Sequence, residues 1–132
     1  MKELVSKFSE LEKEISIKKG AFTLFALFLR EEAGDKWDLV VAAPWIEANR
    51  KEALSFMAKQ TQAKFKPDEL VNLSRIVLID QNNPALDAIN RTIKTEHGSV
   101  DVQNSNFFGL QIKHAYIVTS LRPSLNAEVA VA

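Results

Sequence analysis

The chain of 132 residues carries 17 Lys and Arg against 17 Asp and Glu and contains no cysteine. A formal net charge of zero lacks the field that attracts nucleic acid or an acidic membrane surface, and without cysteine there is no disulfide, thiolate nucleophile or Cys-ligated metal. The 46% hydrophobic content is typical of one globular domain. The N-terminus lacks a secretory pattern and no apolar run is long enough for a membrane helix, so we expect a cytoplasmic protein.

The first third of the chain predicts a helix followed by an antiparallel hairpin. Apolar residues at three- and four-residue spacing predict an amphipathic helix over residues 2–16. The segment AFTLFALFLRE is predicted to be a buried strand, because a Gly-Asp turn and the β-forming segment WDLVVAA follow it.

The middle of the chain predicts two helices with a strand between them. Pro44 ends the preceding strand, and the spacing after it predicts one long helix with a single buried face. The residues assigned to that face are Ile46, Arg50, Ala53, Leu54, Met57, Thr61 and Phe65. KPDEL predicts a short helix, and the uninterrupted apolar run 76–79 predicts a central strand that is covered on both faces. A further helix begins near Pro84, and Gly98 is expected to end it.

The last third predicts two strands, SVDV and FFGLQIKHAYIVTS, joined by the polar turn QNSN. Alternation along the second strand predicts a core face made of Phe108, Leu110, Ile112, His114, Tyr116 and Val118. The predicted fold is α/β (or α+β), with residues 1–122 forming a single domain. Its mixed β-sheet of about four to five strands carries an N-terminal helix and crossover helices. Residues 123–132 are expected to be a tail that is flexible or docks on a partner.

Asp80 is the first candidate for chemistry, because it lies between a strand and a helix, where open α/β sheets often bind ligands. The simpler interpretation is that Asp80 and the Asn82–Asn83 pair cap the helix and shape the loop. No glycine-rich phosphate motif accompanies it. The pattern therefore favours capping.

The two histidines supply the remaining catalytic candidates. His97 lies close in sequence to Glu96 and Asp101, and an imidazole with carboxylates can bind a metal or act as an acid–base pair. A solvated last helical turn is the simpler interpretation for this segment. His114, on the predicted core face beside Tyr116, needs a partner such as Asp38, Asp80 or Asp101. A satisfied structural histidine is the favoured interpretation there.

Aromatic residues at the ends of elements favour association over catalysis. The interpretation that we favour is that they form an interface, and the simpler alternative is that they close the two ends of the core. The residues are Trp37, Trp45, Phe107 and Phe108. The long final strand could also pair edge to edge with a symmetry mate. We therefore expect a non-catalytic binding or assembly protein, acting as a homodimer. The alternative is an enzyme or a small-ligand or metal-binding domain that uses Asp80 with His97, Asp101 or His114.

No motif for a cofactor or a metal is recognised, so neither is predicted. Nucleic-acid binding is not expected, because acidic residues are interleaved with the basic ones. The partner that we expect is a protein, most simply a second copy of this chain.

Overall fold

A five-stranded mixed β-sheet forms the middle layer of the protein, and helices cover both of its faces. The computed structural model describes residues 2–121. The strands are β1 (Leu24–Arg30), β2 (Trp37–Ala42), β3 (Leu73–Leu78), β4 (Val100–Phe107) and β5 (Leu110–Ser120). The helices are α1 (Lys2–Lys19), α2 (Pro44–Ala48), α3 (Arg50–Lys64), α4 (Pro67–Leu70) and α5 (Pro84–Thr92).

The strand order across the sheet is β3-β2-β1-β5-β4, with β2 and β3 parallel and the other neighbours antiparallel. This architecture confirms the predicted fold class as a single α+β domain that begins with a helix. The predicted tail, residues 123–132, lies outside the described residues. No helix in the described part of the chain has the length and apolar character needed to cross a membrane.

The predicted β1–β2 hairpin is confirmed and lies at the centre of the sheet. Phe25 and Leu27 on β1 face a core with α1 and α3, which we call the first face. Ala26 and Phe28 face a second core that α5 covers, which we call the second face. Burial on both faces explains why β1 and β2 are apolar along nearly their whole length.

The long helix predicted after Pro44 is divided into α2 and α3 at Asn49. This residue has an extended backbone (φ −158°, ψ 91°), and its side-chain oxygen accepts a hydrogen bond from the Glu52 backbone N–H at 3.1 Å. Such a cap begins a new helix in a new direction. Arg50 and Leu54 are therefore exposed instead of lying on the buried face.

β3 is an edge strand, and the prediction of a central strand is wrong in this respect. Among the strands of residues 2–121 it pairs only with β2, and its residues Ser74 and Arg75 are exposed. The apolar run 76–79 suggested a central position. It arises because both faces of β3 pack against core residues. Ile76 contacts the first-face core and Val77 contacts the second-face core.

The β4–β5 hairpin turns at Phe108 and Gly109, whose φ angles are +55° and +77°. Two central residues with positive φ are typical of a type I′ hairpin turn, in which the second position favours glycine. The predicted turn QNSN lies within β4 instead. Because β4 covers one side of β5, the final strand has no free edge, and the predicted edge-to-edge pairing of β5 is wrong.

Two irregularities in the β1–β5 ladder change the faces of β5. Leu29 pairs with His114 and Arg30 with Ile112, so Lys113 has no partner on β1. This extra residue places Ile112 on the second face, whereas Tyr116 contacts the first. The predicted continuous core face from Phe108 to Val118 is therefore wrong, because a β-bulge reverses the alternation.

The second irregularity lies near the end of β5. Phe25 pairs with Thr119 and Ala26 with Ile117, which leaves Val118 as the extra residue. Val118 packs in the first-face core, and the Thr119 hydroxyl contacts α1 on the same face. The bulge thus turns a polar side chain towards α1.

Candidate functional site

A turn at residues 95–98 lies along the end of β5. Thr95 and Ser120 exchange backbone hydrogen bonds of 3.2 and 2.8 Å, and the Gly98 N–H donates to the Val118 carbonyl at 3.0 Å. A Cβ at Gly98 would lie 2.8 Å from the Thr95 hydroxyl, so the turn needs glycine there. α5 ends at Thr92, and the prediction that Gly98 ends this helix is wrong.

His97 in this turn pairs with Glu12 on α1. The His97 Nδ1 atom lies 2.5 Å from Glu12 Oε1, and the Glu12 residue is fully buried. The hydroxyls of Thr119 and Ser16 donate to Glu12 Oε2 at 2.9 and 3.1 Å. Three donors therefore surround this carboxylate.

The backbone of His97 is also hydrogen-bonded on both sides of the residue. Its N–H donates to the Thr119 hydroxyl at 3.1 Å, and its carbonyl accepts from the Ser9 hydroxyl at 3.2 Å. The φ angle of His97 is +53°, a left-handed conformation that costs a non-glycine residue on the order of 1–3 kcal/mol. The fold thus accommodates both backbone strain and a buried carboxylate to place this imidazole.

Glu12 is the functional candidate that the sequence analysis missed. The signal was available, since Glu12 lies four residues after Phe8 and three before Ile15, on the apolar stripe of α1. A charged residue within such a stripe indicates either a snorkelling side chain or a buried pair.

His114 forms the second imidazole–carboxylate pair, with Asp101 on the adjacent strand β4. Of the three partners considered for His114, the structure therefore selects Asp101. The His114 ring packs against Tyr116 and Trp37, with centroid separations of 4.5 and 5.7 Å. Its position on the first face follows from the bulge at Lys113.

Tyr116 has a perturbed phenol. Burial raises the pKa of Tyr116 above its ordinary value of 10.0, and the nearby Asp101 charge raises this pKa further. The phenol is therefore an uncharged donor and acceptor at neutral pH.

We expect the midpoint of tyrosinate absorbance in the folded protein to lie above pH 10, because the pKa of Tyr116 is raised. The signal belongs to Tyr116, because this chain contains a single tyrosine. Since the pKa is raised in the folded state, the stability contributed by the neutral phenol is complete below about pH 10 and decreases as the pH rises further. The Asp101→Asn variant should ionise at lower pH than the wild type. A folded wild-type midpoint at or below 10 would contradict this assignment.

Asp80 lies apart from both pairs. Its carboxylate accepts a hydrogen bond from Arg50 Nη1 at 2.5 Å, and 59% of its side chain is exposed. The residue that caps α5 through its side chain is Asn83, which accepts from the Ala85 N–H. The four catalytic candidates thus do not form one cluster: Asp101 and His114 meet, while His97 pairs with Glu12.

The four predicted interface aromatics all make ring contacts inside the chain. Trp37 is buried and packs against Tyr116, at a centroid distance of 5.4 Å. The half-buried Trp45 packs edge-on against Phe22 and donates its indole N–H to the Gly20 carbonyl. Phe107 and Phe108, also half-buried, pack against Phe28 at 5.1 and 6.3 Å. These rings close the ends of the core.

Two grooves flank the 95–98 turn. Groove A, of about 390 Å³, is lined by Val5, Ser6, Ser9, Gly98, Ser99, Asp101 and Tyr116. Groove B, of about 370 Å³, is lined by Lys13, Ser16, Ile17, Ala21, Glu96 and His97. These volumes are near the lower end of small-molecule pockets, which span roughly 300–1,000 Å³.

Comparisons with protein-family models, with curated proteins and with solved structures find no match to this chain, so the geometry of these two grooves carries the functional argument.

Proposed function

We propose that the protein is a small-ligand-binding domain whose groove A accepts an uncharged molecule bearing several hydroxyl groups. The observation that carries this proposal is the Asp101–His114 pair packed beside Tyr116, with Asp101 and Tyr116 both lining the groove. This proposal belongs to the small-ligand alternative predicted from the sequence and uses two of the four candidate residues named there, Asp101 and His114.

The charges around groove A favour a neutral ligand. Asp101 is the ionisable carboxylate in its lining, and neither Lys nor Arg is found among the lining residues within the described chain. An anionic ligand would therefore meet a carboxylate without a cation to balance it. A cationic ligand would have to compete with His114 for Asp101.

The hydroxyl groups of groove A favour a ligand with several donors and acceptors. The side-chain hydroxyls of Ser6, Ser99 and Tyr116 make no hydrogen bond with any described residue, and all three residues line the groove. Each hydroxyl can both donate and accept, and Asp101 adds an acceptor. The Tyr116 ring supplies an apolar surface against which the carbon atoms of a polyol can pack.

The assembly function predicted from the aromatic residues has weaker support. Trp37 is buried and its three companions make ring contacts within the chain, so these aromatics have a structural role without a partner. A homodimer would need another surface. Sedimentation analysis of the ligand-free protein would reveal such a dimer directly.

The test is an NMR titration with glucose, glucuronate and glucosamine, which share a pyranose ring and differ in charge. We expect glucose to shift the backbone amides of Ser99 and Asp101 at millimolar concentration, and the two charged analogues to have smaller effects. Tyr116→Phe removes one uncharged hydrogen bond and should weaken glucose binding about 2- to 12-fold. Asp101→Asn should weaken it as well.

Asp68→Asn serves as the matched control, because Asp68 is exposed on α4 and does not line groove A. Stronger binding of either charged analogue would refute the neutral-ligand assignment. Absence of shifts around groove A at any concentration that leaves the protein folded would refute the proposed function.

A further inference from the structure

The Glu12–His97 pair determines which nitrogen of the imidazole carries the proton. Glu12 Oε1 accepts a hydrogen bond, so Nδ1 of His97 must be the donor. In the neutral imidazole this leaves Nε2 with a free lone pair. The same arrangement of a buried carboxylate and an imidazole orients the general base in many hydrolytic enzymes.

The His97 side chain reaches the surface at groove B. His97 lines groove B, and 31% of its side chain is exposed although its Glu12 partner is buried. The nearest acidic group to Nε2 is Glu96, with Oε2 at 3.9 Å, beyond a normal hydrogen bond. The lone pair is therefore available to a molecule in the groove.

The remaining walls of groove B combine apolar surface with a positive charge. Ile17 is 82% exposed, which is unusual for such a large apolar side chain, and Ala21 lies with it in the groove. Lys13 forms no ion pair with any described residue, so its ammonium is available for a developing negative charge.

We propose that groove B is a second site, in which His97 Nε2 accepts a proton from a hydroxyl group, water included, beside a small apolar molecule. His97 is the catalytic residue of this site. Glu12 is a positioning residue, because it is buried and acts only through the imidazole. This site is separate from groove A, and its activity does not depend on whether groove A binds a polyol.

His97 and Glu12 supply the base and the counter-charge that this proton transfer needs. The hydroxyl proton moves to Nε2, the oxygen becomes the nucleophile, and the imidazolium that forms is stabilised by the Glu12 carboxylate. With p-nitrophenyl acetate as the probe, the water oxygen bonds to the carbonyl carbon and the bond to p-nitrophenolate breaks. Acetate is released, and the imidazolium returns its proton to solvent.

The first measurement is the protonation of the two histidine rings by nitrogen NMR of the intact chain. His97→Asn identifies the His97 signal, and asparagine tolerates the left-handed backbone at this position. We expect the neutral His97 ring of the wild type to carry its proton on Nδ1. A neutral ring protonated on Nε2 would overturn the proposal.

The second measurement is hydrolysis of p-nitrophenyl acetate by the intact chain. We expect His97→Asn to lower the protein-dependent rate by about a hundredfold, at the low end of what a positioned general base contributes. The wild-type rate should rise with pH and then reach a plateau, because general-base catalysis requires an unprotonated base. This rise should be absent in His97→Asn.

Glu12→Gln keeps the shape of the side chain and removes its charge, so it should lower the plateau rate. Glu14→Gln on the same helix is the control, because Glu14 is exposed and pairs with Lys64. Thermal unfolding shows whether each variant is folded; if His97→Asn is not, Glu12→Gln decides. Equal rates for the wild type and a folded His97→Asn or Glu12→Gln variant would overturn the proposal.

Discussion

The Glu12→Ala variant should lose about 3–5 kcal/mol of unfolding free energy. Its carboxylate is fully buried and accepts from His97, Thr119 and Ser16. Removing the carboxylate leaves the Thr119 hydroxyl unpaired in the interior and takes the acceptor from His97 and Ser16, which costs more than these bonds contributed. Urea denaturation of the purified variant, with the slope compared to that of the wild type, measures the loss.

Glu14→Ala is the matched comparison for this measurement. Glu14 lies two residues further along α1, and its carboxylate is 56% exposed and pairs with Lys64 at 3.1 Å. Exposed pairs of this kind contribute about 0–1 kcal/mol. Equal losses in the two variants would show that the Glu12 network is not buried as described.

The second large effect is expected for Asp38→Ala, with a loss of about 3 kcal/mol. Asp38 is buried, and its Oδ2 atom accepts from Arg30 Nε at 2.7 Å and lies 3.3 Å from Arg75 Nε. The hydrogen bond to Asp38 is the main cause that raises the pKa of Arg30. Without Asp38 the guanidinium still stays charged, because arginine is effectively always protonated in proteins. Among the described residues it then keeps only the exposed Glu32 carboxylate, at 3.0 Å, and the loss of the buried counter-ion is the source of the cost.

Arg75→Ala should have a much smaller effect, because half of the Arg75 side chain is exposed and Arg30 still pairs with Asp38. Calorimetric melting of both variants separates the two contributions. If Arg75→Ala destabilises the protein as much as Asp38→Ala does, the carboxylate depends on both cations and the assignment of Arg30 as its main partner is wrong.

The elements that were predicted correctly are those whose burial follows a regular period. α1 has a three- and four-residue apolar spacing, and the β1–β2 hairpin has two apolar runs around a glycine turn. In such elements the hydrophobic pattern and the local propensity agree. The fold class followed from them, although the strand order did not.

The errors arose where a single residue changed the geometry. Lys113 and Val118 are bulge residues in β5, and an extra residue in one strand cannot be recognised from alternation alone. The hairpin turn was missed because Phe108 adopts positive φ, which is uncommon for a bulky side chain. The polar strand β4 was interpreted as a turn because Asn and Ser are rare in strands.

The candidate site was only partly predictable for a related reason. His114 and Asp101 were both named from the sequence, and the antiparallel pairing of β4 and β5 brings them together. The Glu12–His97 pair joins residues 85 positions apart through the bulge that turns Thr119 towards α1. Contacts of this kind depend on strand order and register, which a single sequence does not provide.

The backbone of Asn104 has a consequence for how the protein behaves at high concentration. Its φ of +51° falls in the middle of β4, which is the outer strand on this side of the sheet. A strand from another molecule could form ladder hydrogen bonds along only one short half of this edge, because the backbone is not extended at Asn104. At the opposite edge, β3 is six residues long and exposes the charged Arg75. Both borders of the sheet therefore resist the strand addition that begins fibrous aggregation.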